Sequence, residues 1–283
     1  MLKQLYRGSP SLAITGWLNL ALAAVLGILA ATDSGTVLGI NRWIKPGKFA
    51  ISIVIFTWTI AWFLRYFQHR RRAVRAIGWS ISVCMLVEIT LITMQAARGT
   101  TSHFNNATIF DGAVFAVMGT MIGVNTLLVV WVLVLFCGQV QSLPPAYLAG
   151  IRWGLLVFLL ASAQGVVLVA HSAHTVGAPD GGPGLPLVNW STKYGDLRVA
   201  HFVGLHALQI LPLLGYAMRG WAAGARFVAV LACGYGVVFG WLVLEALRGQ
   251  PFLAGYLLVR WLFGNQTIHD GDEGIQALIC VLL

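Results

Sequence analysis

The chain alternates long apolar stretches with short polar ones. Seven windows stay apolar for the roughly 20 residues that a membrane-crossing helix needs: 11–31, 49–66, 77–97, 110–136, 152–171, 199–218 and 225–247. The pattern predicts an all-α integral membrane protein, a bundle of about seven transmembrane helices. A further apolar piece, PFLAGYLLVRWLF at 251–263, is only about 13 residues long and contains Arg260. It suits a helix lying at the interface better than an eighth span, and counting it as a span would give eight. No long linker or internal repeat divides the chain. Residues 1–264 therefore read as one polytopic domain, and 265–283 as a tail to which the sequence assigns no role.

Composition agrees with a lipid solvent. Apolar residues make up 58% of the 283 positions and charged residues only 10%, against about 25% in soluble domains; mean hydropathy is +0.81. The first apolar segment follows basic residues as a signal peptide would, but at about 21 residues it is too long for the apolar core of one. A net charge of +9 would suggest nucleic acid in a soluble protein. Here it is spread over loops at both faces with no nucleic-acid motif, so lipid headgroups are the expected counterpart.

Orientation follows from the dense run RYFQHRRRAVR at 65–75, which joins the second and third spans and belongs in the cytoplasm by the positive-inside rule. The N-terminus is then cytoplasmic, and the protein is a multi-pass protein of the cell membrane, the inner membrane if the source is bacterial. Cys84, Cys137, Cys233 and Cys280 stand singly and form no CxxC pair, which fits isolated free thiols. Two loops on the non-cytoplasmic side stand out. One leads into the second span with Arg42, Lys45 and Lys48; the other, at 171–198, is long and rich in Gly and Pro, a lid or a disordered crossing.

Polar side chains within spans must face the bundle interior or a wet cavity. Helical projection puts Thr15 with Asn19 on the first span and Lys48, Ser52, Thr59 and Trp62 on one side of the second. The third carries Cys84, Glu88 and Gln95 with Arg98 just beyond; the fourth carries Asp111, Met118 and Asn125; the fifth carries Gln164 and His171, with His174 one turn further. On the sixth, Arg198, His201, His206 and Gln209 share an arc of about 140°, with His201 and His206 at its two extremes. Gly119 with Gly123 and Gly236 with Gly240 have the small-xxx-small spacing of close helix packing.

Five of the seven histidines collect toward one face, which points to chemistry there. Neutral imidazoles from several helices would hold a transition metal, zinc, copper or iron. The expected ligand set is His171, His174, His201 and His103. Glu88 and Asp111 are the candidate catalytic proton carriers, and Lys48, Arg98 and Arg198 the substrate anchors. His206, Gln164 and Gln209 are expected to meet at a cofactor-binding position, with haem a branch of this idea through a pair such as His171 and His201. The function this implies is a metal- or haem-dependent membrane enzyme, such as a zinc hydrolase, acting on a lipid or lipophilic substrate. The alternative is a transporter or sensor of a small anionic ligand, with Glu88 an intramembrane proton site and the histidines protonatable or structural.

Overall fold

The computed structural model describes residues 2–138 and 143–252. The 251–263 segment beyond Phe252, the tail 265–283, and with them His269 and Cys280, lie outside the described residues.

A short amphipathic helix α1 (Leu2–Gly8) leads into α2 (Pro10–Thr32), which opens on Pro10, a residue whose missing N–H costs nothing in a first turn. A two-stranded hairpin, β1 (Thr36–Val37) with β2 (Ile40–Asn41), turns through Leu38 and Gly39 at positive φ. There follow α3 (Ile44–Leu64), α4 (Arg71–Ala97), α5 (Ile109–Cys137) and α6 (Pro145–His171). A strap containing β3 (Thr175–Val176) and β4 (Gly195–Asp196) precedes α7 (Leu197–Ala217) and α8 (Gly224–Leu247).

Six helical segments among the described residues are long and apolar enough to cross a membrane. One of them, Ile44–Ala97, runs for 54 residues, and as a straight rod would be about 80 Å long. It is broken. Residues Arg65–Arg70 form a 3-10 turn in which Phe67 leaves helical geometry (φ −116°, ψ 29°), and the arms α3 and α4 pack against each other. Arg65 lies over the Trp62 ring at 3.4 Å and close to Tyr66, pinning this corner.

The bundle buries polar side chains within an apolar core and turns large apolar ones outward. On α5, Asn125 is buried at 5% exposure while Leu127, two residues on, is 70% exposed. Thr15, Asn19, Thr57, Glu88, Gln95, Asp111 and Gln164 are buried, and Trp79, Val166, Leu213, Val230 and Val237 face outward. Water would reverse that arrangement; hydrocarbon requires it. The chain is a polytopic membrane protein.

Close packing falls elsewhere than the glycine spacing predicts. A Cβ at Gly119, Gly123, Gly236 or Gly240 would meet nothing within 4 Å, so these glycines pack against no other helix among the described residues. Gly150 and Gly154 of α6 do, against Leu211, Pro212 and Ala207 of α7, and Gly215 of α7 lies on the Ala146 backbone. The proline in α7 fits into the notch these two glycines leave.

The α3 side expected to face inward is also corrected. Ser52 is exposed, and the buried stripe is Ala50, Ile53, Thr57 and Ile60. Thr59 and Trp62 turn toward α7 and α6, where Thr59 accepts a hydrogen bond from Gln209 (3.2 Å) and Trp62 donates to Tyr147 (2.9 Å). Two neighbours on different sides give α3 two inner faces.

Candidate functional site: a charged layer beneath the 171–198 strap

The ends of α2, α4, α6 and α8 meet the starts of α3, α5 and α7 at one end of the bundle. Asp33, past the end of α2, accepts from Gly35 N (3.0 Å), Arg42 Nε (2.6 Å) and Trp43 Nε1 (2.6 Å); the Gly35 N–H and the Trp43 and Arg42 donors hold its carboxyl below the usual range. Asp111 is similarly tied at the head of α5. It accepts from Thr108 Oγ1 (2.7 Å), Gln95 Nε2 (2.9 Å) and Arg98 (2.6 Å), while Thr108 caps the helix through Asp111 N (3.1 Å). Arg98 also donates to Gln95. Asp111 and Arg98 thus lock α4 to α5.

The 171–198 segment is an ordered strap. Its strands pair, Gly184 bridges to Ser191, and Leu185 and Trp190 are buried against Val199 and Phe202. Asp196 caps α7 and grips Arg198 through both oxygens (2.9 and 2.6 Å), while Arg198 also donates to Asn189 O. Lys48 reaches up from α3 to the carbonyls of Leu187 (2.8 Å) and Val188 (3.2 Å). The three residues expected to anchor substrate, Lys48, Arg98 and Arg198, are therefore each engaged with this chain.

The histidines separate. His171, exposed at the end of α6, reaches the Thr175 carbonyl at the start of β3 (3.1 Å). His174 meets Asp180 through Nδ1 (2.5 Å), and Asp180 also accepts from the backbone N–H of His174 and Thr175. Burial opposes ionisation of Asp180, but His174 and these two N–H groups hold its carboxyl below the usual range. His174 is lowered by burial more than Asp180 raises it, so a neutral imidazole donates to a carboxylate. His201 Nδ1 lies 3.0 Å from Gln164 Oε1, and Gln164 donates its amide N–H to Leu197 O (3.4 Å). Gln164 thus serves His201. Gln209 binds Thr59, and the His206 ring sits 4.1 Å from that of Phe202. The structure keeps His206 beside Phe202 and Gln209 of its own helix, whereas Gln164 of α6 turns to His201 and Leu197, so the three do not meet at one position. No three His, Cys, Asp or Glu side chains among the described residues gather as an ion would require.

His103 is placed differently from the other three. Its Nδ1 lies 3.0 Å from Ser102 Oγ and 3.4 Å from Lys45 Nζ, and its Nε2 lies 3.9 Å from Glu88 Oε1. An ammonium only donates, so Nδ1 accepts and the ring proton sits on Nε2, facing Glu88. Glu88 is 2% exposed, and its second oxygen, Oε2, has no hydrogen-bond partner. Lys45 is half-buried and, among the described residues, has no carboxylate within 4.0 Å and touches His103 as its one side-chain partner. It lies within electrostatic reach of Glu88, Asp180, Lys48 and Arg198.

No family model, curated protein or solved structure matches the chain. The site therefore has to be read from its own geometry. The sequence placed Lys45 only in a loop. Its signal was position: it lies one helical turn before Lys48, at the start of a span, where a long side chain reaches into the layer.

Burial, with the positive charge of Lys45 adding to it, holds His103 well below the ordinary imidazole value of 6.5. The unfolded chain then binds more protons than the folded one between the two values, so the stability contributed by neutral His103 is complete above about pH 6.5 and is lost as pH falls below it. Thermal unfolding in detergent should show a midpoint that drops from pH 7 to pH 5, and His103→Gln should flatten the drop. A midpoint independent of pH over that range in the wild type would contradict this placement.

Proposed function

We propose that this protein is a seven-span membrane transporter or sensor that binds a small anion, a carboxylate or an oxyanion, at Lys45 on the non-cytoplasmic side. Counting α3 and α4 as separate crossings gives α2 through α8 as the spans, and the corner at Arg65–Arg70 faces the cytoplasm with Arg71, Arg72 and Arg75. The observation that carries the reading is the half-buried Lys45 ammonium, which among the described residues has no carboxylate within ion-pair distance. Desolvating a cation without a counter-charge is costly, and an incoming anion relieves that cost. Lys45 also donates to an imidazole that has a second donor, Ser102, so its contact there is shared and replaceable.

The anion reading is favoured over a metal centre because no three His, Cys, Asp or Glu side chains among the described residues gather as an ion would require.

The test is a thermal-shift panel on the purified, detergent-solubilised protein with acetate, lactate, sulfate and inorganic phosphate at constant ionic strength, chloride serving as reference. At least one should raise the unfolding midpoint in a saturable manner. A panel indistinguishable from chloride sinks the proposal.

Orientation has its own check. In intact cells, a membrane-impermeant thiol reagent should modify single cysteines introduced at 180–185 and spare those at 70–72. The reverse pattern would put Lys45 on the cytoplasmic side.

A further inference from the structure

The layer under the strap contains three cations and three carboxylates whose charges are not paired one to one. Arg198 is matched by Asp196 in a bidentate pair, and Asp180 is held by neutral His174. Lys48 is bound only to carbonyl oxygens, and Lys45 only to His103. Glu88 is the remaining carboxylate, buried between α4 and the layer, with one oxygen unpartnered. With Glu88 ionised and the imidazoles neutral, the layer is balanced. With Glu88 protonated, it carries one uncompensated positive charge.

We infer that anion binding at Lys45 is coupled to protonation of Glu88, one proton for each anion, with His103 relaying the proton. The inference rests on the anion site proposed above and adds its coupling. An anion entering beside Lys45 restores neutrality only when Glu88 has taken up a proton, and an ionised Glu88 competes with the anion for the Lys45 charge. The path is given by the tautomer. A proton arriving at His103 Nδ1 from solvent is matched by departure of the Nε2 proton to Glu88 Oε1, which leaves a neutral imidazole with its proton moved from one nitrogen to the other and Lys45 still an ammonium. The present separation of 3.9 Å must shorten by about 1 Å for direct transfer.

The other ionisable groups facing this pair do not supply the same switch. On α4 itself the neighbour is the Cys84 thiol, and nearly three turns outward Arg98, at the end of the helix, is neutralised by Asp111 of α5. From α7, His201 is bound to Gln164, and from the strap His174 is bound to Asp180.

Isothermal titration of the full chain in detergent, using acetate, sulfate and inorganic phosphate in buffers of different protonation enthalpy and correcting for each probe's own titration, measures protons taken up per anion. Near pH 8 the wild type should take up about one, and affinity should fall about tenfold per pH unit, the slope of one linked proton. Glu88→Gln, an imitation of the protonated carboxyl, should abolish the uptake and flatten the slope while retaining binding. In stopped-flow experiments with a pH indicator, His103→Phe should slow proton uptake at least tenfold. Anion binding by the wild type with no proton uptake from pH 6 to 8.5 overturns the coupling and leaves the anion site standing; absence of binding by all three probes removes both. Uptake that persists in Glu88→Gln reassigns the proton, and wild-type uptake rates in His103→Phe remove the relay. The wild-type measurement decides the coupling even if Glu88→Gln fails to fold.

Discussion

Lys45→Met should weaken binding of the stabilising anion by roughly 10- to 150-fold, the equivalent of the 1.5–3 kcal/mol carried by a hydrogen bond to a charged group. Methionine keeps the length and apolar body of the side chain, so Lys45 is removed as a charge and not as a filler of space. The half-buried ammonium has only the His103 nitrogen to lose, 3.4 Å away, and the folded protein should be no less stable without it. Lys48→Met tests the difference between the two lysines. Its ammonium holds the strap carbonyls of Leu187 and Val188, so its loss should loosen the strap, read as faster proteolysis within 171–198, more than it changes the anion site. Titrations repeated after exhaustive treatment with a chelator should give the same affinity, whereas a metal-centred site would lose it. Equal anion affinity in Lys45→Met and wild type would remove Lys45 from the site.

Gly150→Val should damage the α6–α7 packing severely, costing roughly 3 kcal/mol by overpacking. A side chain there would collide with the Leu211 carbonyl oxygen and crowd Pro212 Cα at 3.0 Å, and both obstacles are backbone, which cannot rotate aside. Gly154 faces the same notch, 2.8 Å from the Ala207 carbonyl oxygen and 3.1 Å from Pro212 Cδ. Separating α6 from α7 would also pull Gln164 away from His201, so the effect should reach the charged layer. Gly119→Val, with the same chemistry at an open position, should leave stability nearly unchanged. The check is the unfolding midpoint of the three proteins in one detergent; a Gly150→Val midpoint equal to that of Gly119→Val would contradict the α6–α7 packing.

Those two glycine pairs show why part of the molecule was not legible in the sequence. Gly119 with Gly123 and Gly150 with Gly154 have the same four-residue spacing, and spacing alone cannot tell a helix face that meets a neighbour from one that meets lipid. The neighbour is a property of bundle order. The same limit explains Ser52, placed inward by its alignment with Lys48 and Thr59 but exposed because α3 uses a different stripe for the core. Burial of Glu88, Gln95, Asp111, Asn125 and Gln164 was legible, because hydrocarbon leaves a polar side chain no alternative.

Sequence by itself determined the class of the protein, the placement of its helices, and the fact that most of them carry polar residues on an inner face. Those properties follow from one-dimensional periodicity and from the length of chain that a bilayer requires. Only the tertiary structure decided which polar residues meet. Hydrogen-bond partners depend on the rotation and register of neighbouring helices, which set Gln164 beside His201, sent Gln209 to Thr59 and drew Asp111 to Arg98. They also turned His103, a loop histidine with no distinguishing neighbours in sequence, into the link between Lys45 and Glu88, two side chains that lie 43 positions apart and carry opposite charges into one layer.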